Sequence, residues 1–166
     1  TGLTGFLTRL STISNPALRV RDNQSVVGSD FYMEQSGQVL ELQGDPSLPS
    51  GAITLQSPKI HALNDAMILE SQGYCGRVYL GQSQFYCEPL ETVFKFSGSA
   101  SPQLLLAGNF WYRNHPTLPT NATGSVALAG NLGAPDTPLT AADLTALSAA
   151  LDDLRALGRL DLELPW

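Results

Sequence analysis

The chain has 166 residues, 43% of them hydrophobic and only 14% charged, with a net charge of −6 at neutral pH. That length fits one domain able to bury a real core, and so much apolar content with so little charge excludes intrinsic disorder. The acidic balance, without any cluster of Lys or Arg, argues against nucleic-acid binding through phosphate neutralisation and against a polybasic membrane anchor; no apolar run approaches the ~18 residues that would span a bilayer.

The chain starts at Thr1, which reads as a trimmed initiator Met, a removed leader or a fragment. Leu3, Phe6, Leu7, Leu10 and Ile13 recur at helical spacing and predict a short N-terminal helix, a docking segment over 1–15 that ends at Asn15-Pro16. From residue 16 to 130 the pattern reads as β. Ala17–Arg21 alternates, and DFYME at 30–34 with QVLEL at 38–42, separated by Ser36-Gly37, predicts a hairpin. AITLQ at 52–56 is a strand. KIHAL at 59–63 and AMILE at 66–70 flank Asn64-Asp65, a favourable two-residue turn, with a short helix through 62–70 as the competing reading.

Gly73–Pro89 carries both cysteines of the protein. With Gly81-Gln82 as the turn, Arg77–Leu80 and Ser83–Tyr86 form a predicted hairpin that sets Cys75 opposite Cys87. A disulfide there closes a short loop and contributes roughly 3 kcal/mol. It would imply an oxidising compartment, hence an extracellular, cell-surface or virion-surface location. Two free thiols remain the alternative.

ETVFKF at 91–96 alternates, and QLLLAGNFWY at 103–112 is the most apolar run, predicted as a central strand bent at Gly108-Asn109. GSVALA at 124–129 is one more strand, followed by a Gly/Pro linker over 131–139. Thr140 and Asp143 form a variant capping box for a helix whose Leu144, Leu147, Leu151, Leu154 and Leu157 share a stripe, stopped by Gly158. The C-terminal unit, 140–166, ends in RLDLEL, an amphipathic strand, and Trp166. Together these elements predict a mainly β protein: an antiparallel β-sandwich or barrel with a short N-terminal helix, and a C-terminal amphipathic helix and terminal strand packed on the β domain or on a neighbouring subunit. The outline loosely resembles the globular part of a type IV pilin. It lacks that family's long apolar N-terminal helix and shares no residue motif with it, so the resemblance assigns no family.

No catalytic, cofactor or metal motif is present. Ser83 in GQSQF lacks the last glycine of a nucleophile elbow. His61 and His115 stand far apart in the chain, without metal-ligand spacing, and for His61 a solvent-facing strand position is the plain reading. Asn23-Gln24-Ser25 and Asn121-Ala122-Thr123 match the glycosylation sequon, at about the frequency chance gives in a chain so rich in Ser and Thr. The acidic residues cannot be paired from sequence. The candidate contact surface is the aromatic set Tyr79, Phe110, Trp111, Tyr112 and Trp166, together with Leu144, Leu147, Leu151 and Leu154. Two function classes follow. The first is a non-catalytic structural or assembly subunit, a pilus-like fibre, surface-layer or virion protein that self-assembles or joins other subunits. The second is a secreted module that binds glycan or protein through the aromatics; a hydrolase with unidentified carboxylates comes third.

Overall fold

The computed structural model describes residues 9–12, 16–35, 38–62, 67–87, 94–112, 126–132 and 139–158. Short strands of β-branched, aromatic and leucine residues alternate with tight corners, and the chain passes through three parallel sheets in rotation. Sheet I holds β1 (Arg9–Thr12), β4 (Tyr32–Gln35), β7 (Lys59–Ala62), β10 (Gln84–Cys87) and β13 (Phe110–Trp111). Sheet II holds β2 (Leu18–Val20), β5 (Gln38–Gln43), β8 (Met67–Gln72) and β11 (Phe94–Ser97). Sheet III holds β3 (Val26–Ser29), β6 (Gly51–Gln56), β9 (Gly76–Gly81), β12 (Gln103–Ala107) and β14 (Val126–Ala129). Every pairing among these strands is parallel. The architecture is therefore a parallel β-solenoid, and helix α1 (Ala141–Ala156) lies against sheet III.

This overturns the antiparallel sandwich or barrel. None of the predicted hairpins pairs its two strands: β4 and β5 belong to different sheets, as do β7 and β8, and β9 and β10, which meet at a corner at Gln82. The QLLLAGNFWY run is likewise two strands, β12 and β13, on separate sheets. Residues 9–12, read as part of an N-terminal helix, form β1 instead, where pairing to β4 outweighs the helical spacing. The rest of that predicted helix and the RLDLEL strand lie outside the described residues.

Register places equivalent side chains in columns. In sheet III, Val26, Ile53, Val78, Leu104 and Val126 follow one another, as do Gly28, Leu55, Leu80, Leu106 and Leu128. Met33, Ile60, Phe85 and Trp111 form the matching column of sheet I; Leu18, Leu40, Leu69 and Phe94 that of sheet II. These columns meet as one interior core. Each fully buried aliphatic side chain contributes about 1.5–3 kcal/mol, and the Trp111 ring stacks on Phe85 at 4.1 Å between centroids.

The corner between sheets III and I recurs on every rung. Asp30, Ser57, Gln82, Gly108 and Gly130 all adopt φ between 50° and 65°. Their N–H groups continue the ladder: Ser57 donates to the Gly81 carbonyl, Gln82 to that of Ala107 and Gly108 to that of Ala129. Beside this column, buried Asn109 accepts from the Ser83 N–H at 2.7 Å and donates to the Leu80 carbonyl at 3.1 Å. One rung on, Asn131 accepts from the Asn109 N–H at 3.0 Å and donates to the Leu106 carbonyl at 2.8 Å. These two asparagine amides tie successive corners together where the sheet ladder is interrupted. At the corner between sheets II and III, Gly44 fits by being small: a Cβ there would collide with the Gly73 carbonyl and the Asn23 side chain.

Replacing Asn109 by Ala leaves two buried backbone groups without partners, each worth about 1–3 kcal/mol. Urea unfolding of Asn109→Ala should show a stability loss of about 2–4 kcal/mol, whereas substitution of the exposed Gln82 side chain by Asn should stay within about 0.5 kcal/mol.

Candidate functional site

The outward columns of the three sheets carry three different chemistries. On sheet III the outward column is Val27, Thr54, Tyr79, Leu105 and Ala127, and α1 covers it. Thr140 caps the helix, its hydroxyl accepting from the Asp143 N–H while Asp143 reaches back to the Thr140 N–H. Asp143 also accepts from Gln103 on the sheet, and Asp153 pairs with Arg77 and accepts from Thr54. The face that meets the sheet is Ala146, Ala150 and Leu154. The leucine stripe expected to do so is split: Leu154 is buried and half-buried Leu147 packs against this cluster, whereas Leu151 is half-buried and Leu144 is 55% exposed. Alanine packs there because its small side chain lets the helix axis approach the sheet, and Arg77 donates to the Ala146 carbonyl across that short gap.

On sheet II the outward column is Arg19, Glu41, Glu70 and Lys95. Glu41 pairs with Arg19 at 2.8 Å and Glu70 with Lys95 at 2.9 Å. Burial alone would raise the Glu70 carboxyl, but hydrogen bonds from Lys95 and Gln38 and the Lys95 charge outweigh it and hold the group below the ordinary glutamate range. The two glutamates that register brings onto neighbouring rungs are thus each held by a cation, a ladder that neutralises itself and braces the sheet.

Sheet I is different. Its outward register columns are Arg9, Tyr32, Lys59, Gln84 and Phe110 on one side and Ser11, Glu34, His61 and Tyr86 on the other, with Tyr112 following Trp111 out of β13. Rings follow one another from rung to rung. Tyr32 and His61 have centroids 5.2 Å apart, His61 and Tyr86 stack at 5.1 Å, and Tyr86 and Tyr112 lie at 5.5 Å. Phe110 meets Tyr112 edge-on at 4.6 Å. The Tyr32 hydroxyl lies 3.4 Å from His61 Nδ1. Phe110 is 40% and Tyr112 51% exposed, and Leu132 extends the strip by a bridge to Phe110. Among the described elements none packs over this face.

The residues singled out from sequence separate accordingly. Phe110 and Tyr112 lie together on the open strip. Trp111, between them in the chain, points inward because strand side chains alternate, and Tyr79 is buried beneath α1. Leu154 is likewise buried, and Trp166 lies outside the described residues. Sequence reasoning misses Tyr32, His61 and Tyr86 as a set. Each stands one full turn of the solenoid from the next, and they become neighbours only through the rung register.

Cys75 is a free thiol. It precedes β9 on sheet III, whereas Cys87 ends β10 on sheet I. The clasped hairpin that would have joined them does not exist, and the location drawn from a disulfide loses its basis. Asn23, in the first sequon, is buried and its amide donates to the Asp45 carbonyl; the second sequon lies outside the described residues. Among the described residues no cluster of three potential metal ligands occurs, and no helix is long and apolar enough to cross a membrane. No protein-family model, curated protein or solved structure matches the chain.

Because the folded-state pKa of Glu70 is depressed, its stabilising contribution is present above the unfolded glutamate value of 4.5 and is lost as pH falls through the lower folded value. Acid titration followed by circular dichroism should therefore show a shallower stability loss below that pH in Glu70→Gln than in the parent, with the variant less stable at neutral pH.

Proposed function

We propose that this chain is a non-catalytic binding module that seats an uncharged glycan on the outer face of sheet I. The observation that carries the reading is the contrast between the three outward faces: one is covered by a helix, one is an internally neutralised charge ladder, and one is a strip of aromatic rings that no described element covers. Rings with polar tips, flanked by exposed Lys59 and Gln84, offer apolar area to the C–H faces of sugars and hydrogen-bonding groups to their hydroxyls. A net charge of −6 disfavours polyanionic ligands at long range. An extracellular, cell-surface or virion-surface location would suit such a ligand and rests on this proposal alone.

A second reading has its own support. Leu139 and Leu144 are exposed at and near the start of α1, beside half-buried Leu147 and Leu151. A structural subunit that associates with copies of itself would use that outer side of the helix. Light scattering at micromolar concentration separates the two: an oligomer dispersed by Leu144→Glu supports assembly, and a monomer removes it.

For the glycan reading, a glycan array should return uncharged structures. Tyr112→Ala and Phe110→Ala should each weaken binding roughly three- to tenfold, the equivalent of about 0.5–1.5 kcal/mol, with unchanged thermal midpoints because both rings are exposed. Retention of full binding by the double variant would contradict it.

A further inference from the structure

Accepting the glycan reading, we infer that the ligand lies parallel to the solenoid axis, crossing the strands, with one sugar unit per rung and three rung subsites at His61, Tyr86 and Tyr112, while Tyr32 borders the row from the neighbouring register column. A ligand laid along a strand instead would meet little. β7 and β10 are four residues each and present alternate side chains outward, so each offers one ring: His61 beside Lys59, or Tyr86 beside Gln84. Crossing the strands, the same ligand passes rings separated by 5.1 and 5.5 Å, close to the rung repeat of about 4.8 Å. Lys59 and Gln84 repeat in the adjacent column with the same rung step, so successive sugars would meet a similar flanking polar group.

The shape of the strip selects the class of glycan. From β7 to β13 the parallel strands of sheet I are in register without stagger, so the row His61, Tyr86 and Tyr112 is straight. A straight, unbranched, β-linked chain follows it; a coiling α-linked chain leaves it after a unit or two. Register sets Arg9 in the column of Lys59 and Glu34 in the column of His61, so both signs of charge occur along this face; the chain as a whole is acidic, and the fit is to an uncharged chain rather than a uronic-acid polymer.

The test is calorimetry with two series of glucose oligomers, β-1,4-linked and α-1,4-linked, each from disaccharide to hexasaccharide. Axis-parallel binding predicts that affinity for the β-linked series rises with every unit up to the trisaccharide, by roughly three- to tenfold per unit, and then levels. It also predicts that the α-linked series gains nothing beyond the disaccharide. In Tyr86→Ala the gain should stop earlier in the series, with the thermal midpoint recorded to exclude misfolding. Affinity saturating at the disaccharide, or rising equally in both series, overturns the axis-parallel geometry while leaving a glycan-binding surface in place. No binding by any oligomer of either series, together with an empty glycan array, overturns the glycan reading and this inference with it.

Discussion

The structure depends on the backbone hydrogen bonds that join each turn of the chain to the next in parallel register. Once Val26 is set against Ile53, Ile53 against Val78 and Val78 against Leu104, the period-two alternation of strands decides every other placement. Inward residues become continuous aliphatic and aromatic columns, and outward residues become the columns that face the helix or solvent. A slip of one residue would exchange the two sets. The αL corner residues and the Asn109 and Asn131 amides hold that register where the chain turns between sheets, since they carry hydrogen bonding through positions at which strand pairing stops.

This dependence explains what the sequence reveals and what it conceals. Strand existence is legible, because short apolar runs bounded by Gly, Pro, Asn and Ser mark AITLQ and QLLLA correctly. The helix is legible to its caps, since Thr140 and Asp143 form a local capping box and Gly158 takes φ 74° just past it. Pairing is not legible. A tight turn such as Gly81-Gln82 is compatible with a hairpin, which pairs its neighbours, or with a corner, which sends them to different sheets; only contacts a whole turn of the solenoid away decide. The repeat itself is hidden because its step varies: the interval from Arg9 to Tyr32 is shorter than that from Lys59 to Gln84, and that from Tyr32 to Lys59 is longer than either. Arg, Tyr, Lys and Gln in one column share no identity for a fixed-period search to find.

The candidate site follows the same division. Phe110 and Tyr112 can be found because they are close in sequence and on one face of a strand. Tyr32, His61 and Tyr86 cannot, because what joins them is register. The helix misleads in part: leucine spacing marks an amphipathic stripe, but the close approach to sheet III, with Arg77 reaching the helix backbone and Asp153, buries Ala146 and Ala150 with Leu154 and leaves Leu144 outside.

The stacked-rung register is most directly tested by a disulfide built between outward neighbours of sheet I. In a background with Cys75→Ser and Cys87→Ser, Lys59→Cys with Gln84→Cys sets two thiols on adjacent rungs. Parallel strands lie about 4.8 Å apart, within the Cα range a disulfide spans. The register predicts near-complete bridging on mild oxidation with an unchanged circular dichroism spectrum, and none in a Lys59→Cys, Phe110→Cys control whose sites are two rungs, about 10 Å, apart. Failure of the first pair to bridge, or bridging of both pairs alike, would contradict it.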